Sequence, residues 1–226
     1  MAMNKKHGLS YPASSRSILI MNKPPASDAE LIRSIIDGNR DDFRILMERY
    51  QQKIYAYLYR FLYQNRDAAE DVTQSVFLKV YQNLGSVNPE LPFQPWIYRI
   101  AHNEAANFLR TVSRKRESQF DDGQWANVPD DAHQDDLFKK EDRELVHSTL
   151  QKLKPKYREV IILHYFEEKS YEEIAQILDS STSSVGTLLR RGRLQMQKLL
   201  EKAGLIVSIV FGYLSFLPSA RHGGRK

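Results

Sequence analysis

From residue 28 onward the chain repeats apolar residues at three- and four-residue steps, the mark of helices that bury one face. A short segment over 28–37 stops at Gly38. Phe43, Leu46, Met47, Tyr50, Ile54, Tyr57, Leu58 and Phe61 then share a face for about five turns, which predicts a long core-facing helix. The next helix, over 67–84, buries Val72, Val76, Phe77, Val80 and Leu84, and its other side lines up Asp71, Gln74, Ser75, Leu78 and Gln82. A leucine inside such a polar stripe is either an ordinary exposed apolar residue or the centre of a docking surface rimmed by polar groups. Asn88, Pro89 and Pro92 interrupt the pattern before a helix over 95–112. Ile97, Ile100, Ala101, Ala105 and Phe108 face inward there, while Trp96, Arg99, Asn103, Asn107 and Arg110 turn partly or wholly away. An aromatic ring, amides and cations in one line suit single-stranded nucleic acid through stacking, base-edge hydrogen bonds and phosphate contact. The competing reading puts Trp96 in the core and leaves the arginines in solvent.

Helical patterning resumes with Leu145, Leu150 and Leu153, and Pro155 starts a further helix through Tyr157, Val160, Ile161 and Leu163 to Phe166. Ser170, three residues before Glu173, is a capping-box start, and Tyr171, Ile174, Ala175 and Leu178 form the buried face behind it. The polar run 179–184 supplies a turn and a new N-cap. Val185, Leu189, Gly192, Met196 and Leu199 or Leu200 mark a second buried stripe, leaving Thr187, Arg190, Arg191 and Arg193 on the surface. A short helix followed by a longer basic one is the layout of a helix-turn-helix, whose second helix enters a DNA major groove. An antiparallel helix pair with a solvated basic face would give the same pattern.

Between the two helical stretches, residues 117–136 hold seven acidic residues and no Lys or Arg, with Gly123 and Pro129. Such a segment cannot bury enough apolar surface to fold alone, so it reads as a linker, or as an acidic mimic of nucleic acid in a basic channel. The fold expected is all-α. Two small helical domains, 28–113 and 140–203, are joined by a flexible acidic linker over 114–139 and flanked by a disordered tail over 1–27 and an apolar tail over 204–226. Met21 stands just before the patterned region and is expected to be the true start. The apolar run 205–217 is shorter than the roughly 20 residues a membrane span requires, and docks on the last domain or on a partner or membrane surface.

Charge and composition narrow the function. The 226 residues carry a formal net charge of +5, which suits a polyanionic partner. The absence of cysteine excludes disulfide scaffolds, thiolate metal sites and cysteine nucleophiles, and makes a reducing cytoplasm the simplest home. The six histidines lack the short spacings of metal ligands, and no carboxylate cluster or nucleophile–base pair points to catalysis, so neither a cofactor nor an enzyme is expected.

Two motifs then carry a resemblance. Asp67-Ala68-Ala69-Glu70-Asp71-Val72-Thr73-Gln74, with Phe77-Leu78-Lys79 and the stretch 93–110 (FQPWIYRIAHNEAANFLR), resembles region 2 of bacterial sigma-70 family factors. Residues 150–200, with Tyr171-Glu172-Glu173-Ile174-Ala175 and Arg191-Gly192-Arg193, resemble region 4. With no region 3 between them, the chain is similar to the extracytoplasmic function group. The resemblance implies that Asp71, Gln74 and Leu78 dock on the clamp helices of core RNA polymerase. It implies that Ser86, Val87 and Asn88 of the loop 86–92, with Trp96, Arg99 and Asn103, capture the minus-ten element, the loop and Asn103 holding a flipped base. Ser183, Ser184, Thr187, Arg190, Arg191 and Arg193 would read the minus-thirty-five element of promoter DNA, the linker would thread toward the polymerase channels, and an anti-sigma factor is an expected partner. A free-standing helix-turn-helix regulator is the alternative. The chain departs from the family pattern at Gly186 and Leu188, where basic residues are common, and at Asn107 and Ser180.

Overall fold

A computed structural model describes residues 26–118 and 140–202. Local chemistry starts its helices where the sequence provides donors and acceptors. The Ser27 hydroxyl accepts the Glu30 amide at 3.3 Å and the Glu30 carboxylate accepts the Ser27 amide at 2.7 Å, so α1 (Asp28–Ile36) opens with a complete capping box. Gly38, at φ +105°, turns the chain through a conformation that L side chains rarely adopt. In α2 (Asp41–Phe61) the predicted stripe is buried from Leu46 to Phe61, with Phe43 and Met47 half-covered. Asn65 accepts the Ala68 amide at 2.9 Å and begins α3 (Arg66–Asn83). A 3-10 turn (Leu84–Ser86) leads by a loop to α4 (Phe93–Ser118). Helices α2, α3 and α4 pack around one core, with α1 against α2.

The second domain contains α5 (Lys140–Lys152), α6 (Pro155–Ile161), α7 (Tyr171–Ile177) and α8 (Thr182–Lys202). Helices α5, α6 and α7 all pack on α8. Val185, Leu189, Gly192, Met196 and Leu200 form its buried stripe as predicted.

Several expectations change. Helix α4 begins at Phe93 and runs through Ser118, so the residues read as the start of the linker, 114–118, are helical. The helix expected from Pro155 to Phe166 stays α only to Ile161 and then widens into a π turn (Ile162–Phe166). Tyr171 is 36% exposed and Leu178 only half-buried, while Ile177 is fully buried with Ile174. The reason is the shortness of α7, whose closing turn drives Ile177 inward while Tyr171 lies edge-on to His164 and over Gly186. The tails 1–25 and 203–226 and the segment 119–139 lie outside the described residues, and with them the Met21 start, the acidic run and the apolar run 205–217.

The two domains share one apolar core, and polar groups also join them. Tyr57 donates to Glu159 at 2.8 Å, and His102 Nδ1 meets the same carboxylate oxygen. Tyr98 donates to Glu167 at 2.7 Å, and Arg60 pairs with the other oxygen of Glu167 at 3.1 Å. The turn between α2 and α3 also touches the second domain: Gln64 accepts from Gln151 at 2.7 Å, and the Arg158 guanidinium lies 3.8 Å from the Tyr63 ring centroid. Tyr63 and Gln64 both sit in the left-handed region, at φ 60° and 58°, a conformation that costs roughly 1–2 kcal/mol per residue.

Burial lowers the pKa of His102, but its hydrogen bond and Coulomb attraction to Glu159 outweigh this and leave it raised above 6.5. Burial raises Glu167 above 4.5 against the opposing pull of Arg60, the Tyr98 hydrogen bond, Lys169 and Lys53. Burial first, then the adjacent carboxylates, also raises Tyr57 and Tyr98, keeping both hydroxyls protonated as donors. A raised pKa contributes stability that is complete below the unfolded value and is lost as pH climbs through the folded one. The His102 contribution is therefore full below pH 6.5 and fades above it. His102→Gln keeps a donor for Glu159 but cannot titrate. Melting temperatures measured from about pH 6 to about pH 9 should show wild type above the variant at the acid end and a narrowing gap as pH rises. A gap independent of pH would remove His102 from the docking.

Candidate nucleic-acid interface

The polar stripe of α3 emerges as periodicity requires. Asp71, Gln74 and Leu78 are exposed on one side, Leu78 at 59%, while Val72, Val76 and Val80 hold the other side in the core. Ser75 bonds back to the Asp71 carbonyl at 3.0 Å and leaves the carboxylate in solvent. Gln74 also lines a shallow groove between α2 and α3, whose other walls are Glu48, Gln51, Gln52, Tyr55, Glu70 and Thr73. The α2 wall was missed in sequence, although Glu48, Gln51 and Gln52 are the polar positions left between buried Leu46, Tyr50 and Ile54.

The loop after α3 is held by its own polar groups. Ser86 donates to the Asn83 carbonyl at 2.7 Å, and Asn88 Oδ1 accepts the Glu90 amide at 3.0 Å, a local turn built by the side chain. Glu90 pairs with Arg33 of α1, and Val87 is half-buried against the core. At the tip Leu91 stands 63% exposed, an apolar residue the sequence reading did not single out.

On α4, Trp96 is half-buried, its ring 5.4 Å from that of Phe93, and Arg99 and Asn103 are exposed one and two turns further on. The two sequence readings of this helix are thus both partly realised: the indole is anchored by the core and still has an open side. Asn107 does not extend the line as a free amide, because its Oδ1 accepts from Arg110 at 2.6 Å. Lys79 of α3 bonds Glu104 at 2.5 Å and ties α4 to α3 beside Asn103.

The helix-turn-helix begins with the predicted box: Ser170 accepts the Glu173 amide at 3.1 Å and Glu173 accepts the Ser170 amide at 2.8 Å. Asp179, at φ 47°, makes the turn, and Ser181 accepts the Ser184 amide at 3.2 Å at the start of α8. Ser183, Ser184, Thr187, Arg190 and Arg191 are exposed, and a shallow cleft runs along Ser183, Ser184, Thr187 and Leu188. Arg193 is different. It is half-buried, and burial raises the pKa of Tyr165 against the lowering effect of the Arg193 guanidinium. The structure thus gathers five of the six minus-thirty-five candidates on one exposed face and turns the sixth toward the domain core. Among the described residues, no group of His, Asp or Glu could hold a metal ion.

Comparison with known proteins gives the same two blocks. The model of sigma-70 region 2 matches residues 46–115 and that of sigma-70 region 4 matches residues 143–196. The RNA polymerase sigma-H factor of Pseudomonas aeruginosa is 30% identical over 77% of this chain and 94% of its own. The ECF RNA polymerase sigma factor SigW of Bacillus subtilis is 31% identical over 75% and 94%. Of solved structures, CnrH in complex with the cytosolic domain of CnrY superposes with a TM-score of 0.58 at 25% identity, covering 77% of this chain and 97% of that one. The sigma factor RpoE of Bartonella quintana, solved with the anti-sigma factor NepR, shares the fold with a TM-score of 0.60 at 23% identity, covering 71% and 97%.

The two glycines of α8 should respond oppositely to alanine. A β-carbon at Gly186 would meet only the Tyr171 ring, at 3.6 Å, so Gly186→Ala should stabilise by roughly 0.5–1 kcal/mol through helix propensity. At Gly192 it would lie 3.3 Å from the Tyr157 β-carbon and from fully buried Ile161, neither able to move aside, so Gly192→Ala should lower the melting temperature. Thermal unfolding of both variants checks the pair, and an equal response would contradict the packing.

Proposed function

Because the chain belongs to the extracytoplasmic function group of the sigma-70 family, we propose that it joins core RNA polymerase as a dissociable promoter-specificity subunit. In this role it reads a minus-ten and a minus-thirty-five element and helps melt the start site. Asp71, Gln74 and Leu78 dock on the polymerase clamp helices, with the apolar residue central and the polar pair at the rim. Ser86, Val87 and Asn88, with Trp96, Arg99 and Asn103, capture the melted minus-ten strand. Extruding a base costs a few kcal/mol, which stacking and edge hydrogen bonds in this pocket must return. Ser183, Ser184, Thr187, Arg190 and Arg191 contact the minus-thirty-five duplex, and Arg193 supports them from behind. The protein acts by binding alone in the cytoplasm, with the polymerase supplying the chemistry, and an anti-sigma factor holds it inactive. The observation that carries this reading is the pairing of an exposed Leu78 stripe and an exposed Trp96–Asn103 face in one domain with a helix-turn-helix in the other. A free-standing regulator has no use for the first domain.

Reconstitution with core polymerase and a genomic promoter library should yield promoter-specific transcripts, and no core binding by the wild type would end the proposal. Leu78→Asp should weaken core affinity by roughly tenfold or more with the fold intact. Asn103→Ala should bind core normally and slow open-complex formation. Replacing Arg190 and Arg191 with alanine should reduce the slope of log affinity against log salt by about 1.8, since two fewer counterions are released. An unaltered slope would exclude the pair from phosphate contact.

A further inference from the structure

The first two turns of α8 are uncharged. Residues 180–189 read SSTSSVGTLL, so no cation, carboxylate or amide side chain stands ahead of Arg190. In a helix-turn-helix the N-terminal residues of the second helix are the ones that meet base edges. Here that end offers a groove only hydroxyls and apolar surface. Ser181 Oγ accepts the Ser184 amide at 3.2 Å and lies 3.0 Å and 2.8 Å from the hydroxyls of Ser183 and Ser184, so these oxygens are partly engaged with one another. Leu188 lines the same shallow cleft as Ser183, Ser184 and Thr187. Its neighbours Val185 and Leu189 are buried, and Leu188 itself is half-buried against the core they belong to. One side of the leucine is therefore held in place by packing, and the other is open to the cleft.

Base pairs differ in the major groove by their donors and acceptors, but thymine alone presents an apolar group there, its C5 methyl. Serine and threonine hydroxyls both donate and accept, so they pair with any base. Discrimination at this end of the helix then falls to the apolar wall. A base amine or carbonyl set against the open side of Leu188 would lose its hydrogen-bond partners, whereas a methyl group gains by leaving water. We propose that Leu188, in the cleft it shares with Ser183, Ser184 and Thr187, reads the C5 methyl of a thymine and makes one pair of the minus-thirty-five element T·A. This inference deepens the promoter reading and rests on it. Arg190 and Arg191 stand further along the helix, where guanine or phosphate suits them.

A promoter recovered from the genomic library by the reconstituted polymerase supplies the probe. Each thymine of its minus-thirty-five element, on either strand, is replaced singly by deoxyuridine, which removes the methyl and keeps the pairing. Binding of the holoenzyme should weaken about fourfold at one thymine, the worth of one buried methyl-sized group. A C·G pair at that position should also bind weakly, and 5-methylcytosine in place of the cytosine should recover most of the loss, because the hydroxyls tolerate either base. Leu188→Ala should bind the thymine and deoxyuridine promoters alike. Circular dichroism reports whether that variant is folded; if it is not, Leu188→Val, one carbon shorter, takes its place and should reduce the response to the methyl. An element of G·C pairs alone, equal affinity for every deoxyuridine promoter, or a full response retained by a folded Leu188 variant overturns the proposal. If the wild type forms no promoter-specific complex, the promoter reading falls and this inference with it. A promoter that is bound without response to any methyl sinks this inference alone.

Discussion

A carboxylate removed from water has to find donors, and much of this structure follows from where Glu159 and Glu167 find theirs. Both lie on or just after the short helix α6 and its π turn, and both are met by side chains of α2 and α4. That requirement explains tyrosine rather than phenylalanine at two fully buried positions, 57 and 98. It also fixes α7 against α4, because the chain between Glu167 and Ser170 has no slack. Buried ion pairs add little net stability, since desolvation offsets most of the attraction. What they contribute here is a single geometry for two domains whose apolar residues join in one core.

Helix α8 carries two demands at once, since three helices pack on one of its faces and its other face is the one proposed to read DNA. Close approach at Gly192 brings α6 in, and Arg193 next to it lowers the Tyr165 pKa against burial. The exposed face is divided: hydroxyls of Ser183, Ser184 and Thr187 at the N-terminal end, Arg190 and Arg191 further along. Hydroxyls accept and donate without strong preference for one base, whereas arginines favour guanine or phosphate. On the proposed function, such a helix would depend on arginines one turn further along than Gly186 and Leu188.

Elements governed by local rules were legible in the sequence. The α2 and α3 stripes follow from period alone, and the Ser170–Glu173 box is a four-residue signal that the structure reproduces in both of its hydrogen bonds. The exposed set Asp71, Gln74, Leu78, Arg99 and Asn103 came from the same arithmetic applied to the opposite face. What was not legible depends on distant residues. Glu159 and Tyr57 are 102 positions apart, and nothing near either one marks a glutamate as buried. The π turn is likewise set by tertiary packing of Ile162, Leu163 and Tyr165 and has no signature in spacing. Tyr171 was misread because a seven-residue helix has too few turns for its axis to be inferred from four apolar positions.

The unbroken course of α4 has a mechanical meaning. From Asn103 to Ser118 the helix continues for fifteen residues, about 22 Å at about 1.5 Å per residue. The point where the chain leaves the first domain is therefore a rigid arm attached to the face proposed to read the melted strand. A lateral pull at the end of that arm would act as a torque on Trp96, Arg99 and Asn103, so on the proposed function a pull at Ser118 and grip on the melted strand are two ends of one lever.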